Sequence, residues 1–574
     1  MHPVNSSRES FFIFTLSMLS IFLGLSGGYP FHHVDTLFPH IISVLTHQGN
    51  PMFFNYPGLM IYLHAGIYAL LFKATLITPD QLHSAFFYTG RFSAGPLSIP
   101  AYLPAQLLNQ IFILTALLSL FRFLKQQTQT IWLTICGGLF LILSPLWVND
   151  AHFMTVDIPL ACLGWIVSIY SLRFDGETPR TKKEYFCCGI LGGLCLATKY
   201  TGVIFILPWM MLQLFSPKQL KTLFRFENFL WLAGLGLAFL ASNPYLLLDP
   251  VNFLESAYFE LRHSRQGHVG YQNLFPIHQY SLALIHSYGI LPLCLALSGM
   301  IIWIRFHTVS FSSRAVLFMT PIIYFLIIST SSLHFHRYLL PLFPFLAFFS
   351  AYGCFVIVKK LGRVGLILAS VCLFVSFGIN GAITWKQNQL LSTQDTREQL
   401  LHILESWEKK EPIVIESGKF IPRITNRLGN SEIQFQEVQE GAFLEAYQTW
   451  TEKNSQNKSL FIWDSFSADR LLYEPSTQPM VSVKNSGIFL FQITPHCREK
   501  EVIPFSAQSN YAPFLPDLFD RKAAGPYLEM MTKNPEIAEW LKWNCQKEEN
   551  CRNLPVEKSF YLKKLLSLVS SGTK

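Results

Sequence analysis

Through the first two thirds of the chain, apolar residues run in stretches about 20 residues long, separated by short polar connectors. Stretches 11–27, 56–76, 101–121, 131–148, 229–248, 281–304, 315–331, 338–358 and 364–384 are clear examples. Each is long enough, as a helix, to cross a hydrocarbon core about 30 Å thick. The pattern predicts a polytopic α-helical membrane protein, with the first run retained as a helix because no small-x-small cleavage site follows it. From about Trp385 the period changes. Residues 385–417 read as an amphipathic helix followed by a β-branched strand, 459–466 and 486–493 as further strands, and 534–545 as a helix capped by Asn534. The expected division is a membrane domain at 1–384 and a small extracytoplasmic α/β domain at 385–574.

One apolar segment does not fit a single span. Residues 187–215, "CCGILGGLCLATKYTGVIFILPWMMLQLF", have basic clusters at both ends, "RTKK" (180–183) and "SPKQLK" (216–221). Both ends then belong on the same side of the membrane, and the chain must turn in the middle. Each arm has about 15 residues, roughly 22 Å of helix, too short for a full crossing. Lys199 falls at the turn, recessed below the surface. Parity demands one more crossing elsewhere, and "DQLHSAFFYTGRFSAGPLSI" (80–99) is the stretch available for it. The expectation is about thirteen transmembrane helices plus juxtamembrane helices.

Of the 574 residues, 51% are hydrophobic, 15% aromatic and 14% charged, against about 25% charged in soluble domains. The net charge of +8 reads as positive-inside bias and not as a nucleic-acid surface, because the cations gather in short connectors such as "RFLK" (122–125) and "KKLGR" (359–363). Those connectors mark the cytoplasmic side, and the cation-poor loops, with the tail, the outside. An integral membrane protein with its tail outside follows from that reading. No CxxC pair marks a zinc module, and no metal site is expected. If the tail is extracytoplasmic, Cys545 and Cys551 could close a short disulfide.

This topology collects charged residues on the outer face. The first loop, "FHHVDTLFPH" (31–40) running on to "GNPMFFNYPGLMIYLHA" (49–65), brings His33 and Asp35, with Asn55 and Tyr56 in its aromatic wall. The second brings His152 and Asp157. Lys199 comes from the short-helix turn, Arg262 and Arg265 from "FELRHSRQGHVG", and His336 and Arg337 from "LHFHRYLLPLFP". Carboxylates facing a ring of cations suit transfer from a lipid phosphate: cations stabilise a leaving phosphate, and an Asp can take the proton of an acceptor hydroxyl. Structural readings compete. Asp157 could cap the helix that follows it, Asp35 could pair with His33, and Arg262 and Arg265 could hold lipid headgroups. A transporter or flippase of lipid-linked sugars is the alternative class, but its charges should lie at several depths within the helices.

The string "HVD…GNPMFFNYPGLMIYL" resembles the first extracytoplasmic loop of glycosyltransferase family 39 enzymes of the GT-C fold, which include protein O-mannosyltransferases and aminoarabinose transferases. "SPLWVNDAHFMTVDIPL" (144–160), "GLCLATKYTG" (193–202), "HRYLLPLFPFLA" (336–347), "DTREQL" (395–400) and "DLFDRKAAGPYLEM" (517–530) resemble further segments of that family, in order. The resemblance implies a metal-independent inverting transfer from a polyprenyl-phosphate sugar, without a cofactor, to a protein, lipid or glycan hydroxyl outside the cytoplasm. It implies Asp35 as the catalytic base, although Thr36 stands where many relatives carry Glu. His33 beside it and Asp157 complete the expected catalytic set. Lys199, Arg337, Arg262, Arg265 and His336 are the expected donor-phosphate partners, and Tyr56, Asn55 and His152 the expected substrate contacts.

Overall fold

The computed structural model describes residues 6–25, 37–78, 91–94, 97–100, 102–175, 180–215, 226–266, 276–306, 310–331, 335–391 and the short strands between 414 and 506. Helices dominate up to residue 391. In chain order they are α1 (Ser6–Leu25), α2 (Phe38–Thr46), α3 (Leu59–Lys73), α4 (Leu103–Thr128), α5 (Ile131–Ile142), α6 (Pro145–Ala151), α7 (Asp157–Ser171) and α8 (Lys182–Thr198). There follow α9 (Leu207–Phe215), α10 (Phe226–Ser242), α11 (Tyr245–Leu248), α12 (Pro250–Gln266), α13 (Pro276–Tyr288), α14 (Ile290–Phe306), α15 (Phe311–Ile328) and α16 (Phe343–Leu391). Among the described residues four helices are long and apolar enough to cross a membrane, or up to six if each bent pair counts as one span. Apolar side chains left exposed, such as Ile111, Leu326, Ile367 and Phe374, give those helices a lipid-facing surface.

α16 is a hairpin of two helices. Gly362 takes φ +54°, ψ −126°, a conformation open only to glycine. Ser350 and Asn380 both reach Tyr288: the Ser350 hydroxyl is 3.0 Å from the phenol, and the Asn380 amide donates to the Tyr288 carbonyl at 2.9 Å. Thirty residues of straight helix would hold those side chains roughly 45 Å apart. The chain therefore reverses at "KKLGR", as its polarity predicts.

The segment around Lys199 turns as well. α8 stops at Thr198, Lys199 is extended at φ −156°, ψ 144°, and a 3-10 turn follows at Tyr200–Ile206. A Cβ built on Gly202 would come within 2.2 Å of the Cys195 carbonyl, so the turn folds straight back onto α8. α10 then packs on α8 in parallel. The backbone at Gly189 meets Trp231, and that at Gly193 meets Leu235 and Ala238, each too close to admit a side chain. Two parallel neighbours require the chain between them to return to the side from which α8 started.

The expectation for 80–99 needs correction. Arg91–Ala94 (β1) and Leu97–Pro100 (β2) pair as an antiparallel hairpin, so the second half of that segment is not a helix. Gly95–Pro96 explains the change: proline removes a helical donor and biases the residue before it away from the helical region. In the tail, β3 (Val414–Ser417), β4 (Gln434–Glu437), β5 (Ser459–Asp464), β6 (Gly487–Ile493) and β7 (Lys500–Ser506) form one sheet in the order β4-β3-β5-β6-β7. β3 runs parallel to β4 and β5, while β5, β6 and β7 are antiparallel. The expected strands at 459–466 and 486–493 are β5 and β6. The expected helix at 534–545 and the Cys545–Cys551 pairing lie outside the described residues. α16 passes through the expected domain boundary at Trp385 and ends at Leu391.

Candidate functional site

α7 and α8 are antiparallel neighbours of similar length, which brings the first residue of one level with the last of the other. Asp157 opens α7, and Lys199 follows α8. Lys199 Nζ donates to Asp157 Oδ1 at 2.8 Å, and Arg337 Nε lies 3.3 Å from Asp157 Oδ2. Arg337 comes from the 3-10 turn His336–Leu342 that leads into α16. The three charged groups are nearly enclosed: the side chains of Lys199, Arg337 and Asp157 are 10%, 11% and 3% exposed.

Each charge has a local reason to be there. Val156 takes the N-cap position, so Asp157 sits in the first turn of α7, where the helix dipole favours a carboxylate. The break at Lys199 frees its side chain from helical register. Tyr338 provides a wall for both cations, with its ring 3.9 Å from Lys199 Nζ and 5.6 Å from the Arg337 guanidinium. Its carbonyl accepts from the Tyr324 phenol at 3.1 Å. Tyr56, from the first loop, lies 5.8 Å from Lys199 Nζ.

The first loop is stapled over this cluster. The backbone N–H of Gly58 donates to Asn243 Oδ1 at 2.7 Å, and the Asn55 amide to Glu260 of α12 at 2.8 Å. The Tyr200 phenol, next in sequence to Lys199, donates to the Phe54 carbonyl at 2.8 Å. Upstream, the N–H of Leu37 reaches the Met154 carbonyl at 3.4 Å, which ties the first loop to the second three residues before Asp157. His40 stacks on Phe53 with centroids 3.8 Å apart, and its burial pulls the imidazole down to about 4. It is therefore neutral at physiological pH and adds no cation to the site.

The expected residues divide into groups. Asp157, Lys199 and Arg337 come together, with Tyr56 beside them. Asn55 serves to hold the loop to α12. His336 is half-buried at the start of the turn that carries Arg337. Arg262 and Arg265 are exposed near the end of α12. His152 is 0% exposed, its Nδ1 is 2.7 Å from the Val148 carbonyl, and its own carbonyl accepts from Gln106 at 3.3 Å, so that it braces the second loop. His33 and Asp35 lie outside the described residues.

Sequence reasoning missed Asp150. It is 5% exposed on α6, and Asp157, Arg337 and Lys199 all act on it electrostatically. The same short connector offers Asp150, His152 and Asp157 without periodicity, so nothing in the sequence separates an inward carboxylate from an inward imidazole.

Residues 99–247, which carry Asp150, Asp157 and Lys199, match the family model described as dolichyl-phosphate-mannose-protein mannosyltransferase. No curated protein sequence matches the chain. Among solved structures, ArnT from Cupriavidus metallidurans bound to undecaprenyl phosphate is similar at TM-score 0.52 and 12% identity, over 87% of this chain and 98% of that one. The same protein in its apo state gives TM-score 0.47 at 12% identity, over 80% and 93% of the two chains. The mycobacterial arabinofuranosyltransferase AftD gives 0.46 at 10% identity, over 80% of this chain and 35% of that one. At 12% identity the likeness to ArnT establishes the fold, and chemistry has to be argued from the residues. The chain thus shares the fold of ArnT along most of its length, and the segment bearing the charged cluster is similar to the mannosyltransferase family.

Proposed function

We propose that the protein moves a sugar from a polyprenyl-phosphate donor to a hydroxyl-bearing acceptor, protein, lipid or glycan, at the extracytoplasmic face. The observation that carries this reading is the convergence of Lys199 and Arg337 on one nearly enclosed point at the helix ends opposite the basic connectors. Two cations fixed there before any substrate arrives can stabilise the charge that grows on a leaving phosphate, without reorganising at the moment of reaction. The undecaprenyl phosphate bound by ArnT supports a lipid of the same chemistry for this chain.

In the proposed step the acceptor oxygen attacks the anomeric carbon. The bond from that carbon to the phosphate oxygen breaks, and the phosphate leaves with the electron pair toward Lys199 and Arg337. The acceptor proton passes to Asp35, two residues before the anchored Leu37, with His33 orienting the carboxylate. Asp157 holds the two cations in place. No step asks for a metal or a cofactor.

The test is transfer from a synthetic polyprenyl-phosphate sugar by purified protein, scored by mass spectrometry of released lipid phosphate. Asp35→Asn should slow transfer by about 10²–10⁴-fold, the usual range for loss of a general base, while donor affinity survives. Arg337→Gln should weaken donor binding itself. Near-normal transfer by Asp35→Asn alongside inactive Asp157→Asn would reverse the assigned roles.

A further inference from the structure

Among the described residues, the buried cluster is neutral before a donor arrives when both of its carboxylates are ionised. Lys199 and Arg337 supply two positive charges, and Asp157 and Asp150 two negative ones. Bringing a phosphate into such a site, if the donor phosphate binds at Lys199 and Arg337 as proposed above, adds an uncompensated negative charge in a poorly solvated place, which is costly. One carboxylate has to give up its charge. The two are not equivalent. Asp157 has a cation within 3.3 Å of each of its oxygens and gains from staying ionised. Asp150 is buried, and among the described residues no cation lies within ion-pair distance of it; its side-chain hydrogen-bond partner is Asn149.

We propose that Asp150 is the charge-compensating residue of the donor site: it takes up a proton as the lipid phosphate binds, so donor binding carries one proton with it. The charged groups acting on Asp150 among the described residues are Asp157 at the start of α7, Lys199 after α8 and Arg337 ahead of α16. α13 adds the phenol of Tyr280, which acts on Asp157 and Arg337. An incoming phosphate draws the two cations toward itself and adds a negative charge, and both changes favour the protonated Asp150. The sign follows from linkage: when the complex binds more protons than the free protein, affinity falls as pH rises.

The experiment uses the full chain in detergent and farnesyl methyl phosphate, a phosphodiester with no ionisation of its own near neutrality. Titration calorimetry in Tris and in HEPES reads proton uptake from the difference in apparent heat. The wild type should take up close to one proton near pH 8, with Kd rising by up to tenfold per pH unit. Asp150→Asn should bind more tightly at pH 8, with a flat pH profile and no uptake. Asp150→Glu should restore the slope. Absence of proton uptake in the wild type, or a slope that persists in Asp150→Asn, overturns the proposal and leaves the phosphate site standing. If Asp150→Asn does not fold, uptake by the wild type and the displaced profile of Asp150→Glu still decide. Binding that is undetectable, or indifferent to Arg337→Gln, sinks both this proposal and the donor-site reading.

Discussion

At the scale of single residues, the carboxylate of Asp157 decides whether Lys199 and Arg337 can share one buried place. Either cation alone would be paired, but together and without Asp157 they repel each other where water screens little. Asp157→Asn keeps the side-chain shape and leaves that repulsion uncompensated. Breaking a buried pair in this way costs about 3–5 kcal/mol, so the variant should melt well below the wild type by scanning fluorimetry in detergent. Adding Lys199→Met to Asp157→Asn should recover part of the loss, since one buried cation is removed. Additive losses in the double variant would show that the two residues are not coupled. The sequence placed Asp157 equally well as a helix cap, because only the fold brings it to residues distant in the chain. Asp150 was less visible still: a carboxylate in a short loop shows its burial only once α6 is seen to bend inward.

Among the elements, the short pair formed by α8 and the turn after it depends on glycines more than on polarity. The basic clusters at 180–183 and 216–221 were enough to predict the reversal and to set Lys199 at its tip. They could not predict the parallel contact of α10, which rests on backbone approaching backbone. A Cβ at Gly193 would stand 2.4 Å from the Leu235 carbonyl, and a carbonyl in a helix cannot turn aside as a side chain can. Gly193→Val should therefore destabilise by at least the ~1–3 kcal/mol typical of overpacking and weaken donor binding by shifting Lys199. Gly236, in the same pair of helices with nothing within 4 Å of its missing Cβ, is the internal control. Gly236→Ala should melt like the wild type, and equal behaviour of the two variants would count against the packing argument. The failed expectation at 80–99 has the same physical root in reverse. Length and polarity were read there while the Gly95–Pro96 step, which favours a turn, was given too little weight.

For the molecule as a whole, the compensated cluster changes how its cations are counted. Lys199 and Arg337 sit at one end of the bundle, yet Asp157 and Asp150 neutralise them. They add nothing to the charge asymmetry that sets orientation in a membrane. Lys359 and Arg363, beside the reversal at Gly362, are exposed and lie at the other end. By the positive-inside rule that reversal is expected in the cytoplasm, and with it the start of α8. Met52, 63% exposed on the first loop, is expected with the charged cluster on the opposite side. This orientation can be read from two engineered thiols in a background where Cys294 and the tail cysteines Cys497, Cys545 and Cys551 are replaced by serine. In intact cells a membrane-impermeant maleimide should label Met52→Cys and leave Arg363→Cys untouched until the cells are opened. Labelling of Arg363→Cys alone would invert the molecule and carry the charged cluster to the cytoplasm, where an extracytoplasmic acceptor could not reach it. Labelling of both from outside would mean that the reversal at Gly362 does not lie across the membrane from the first loop. The two positions thus test the direction of the bundle without relying on activity.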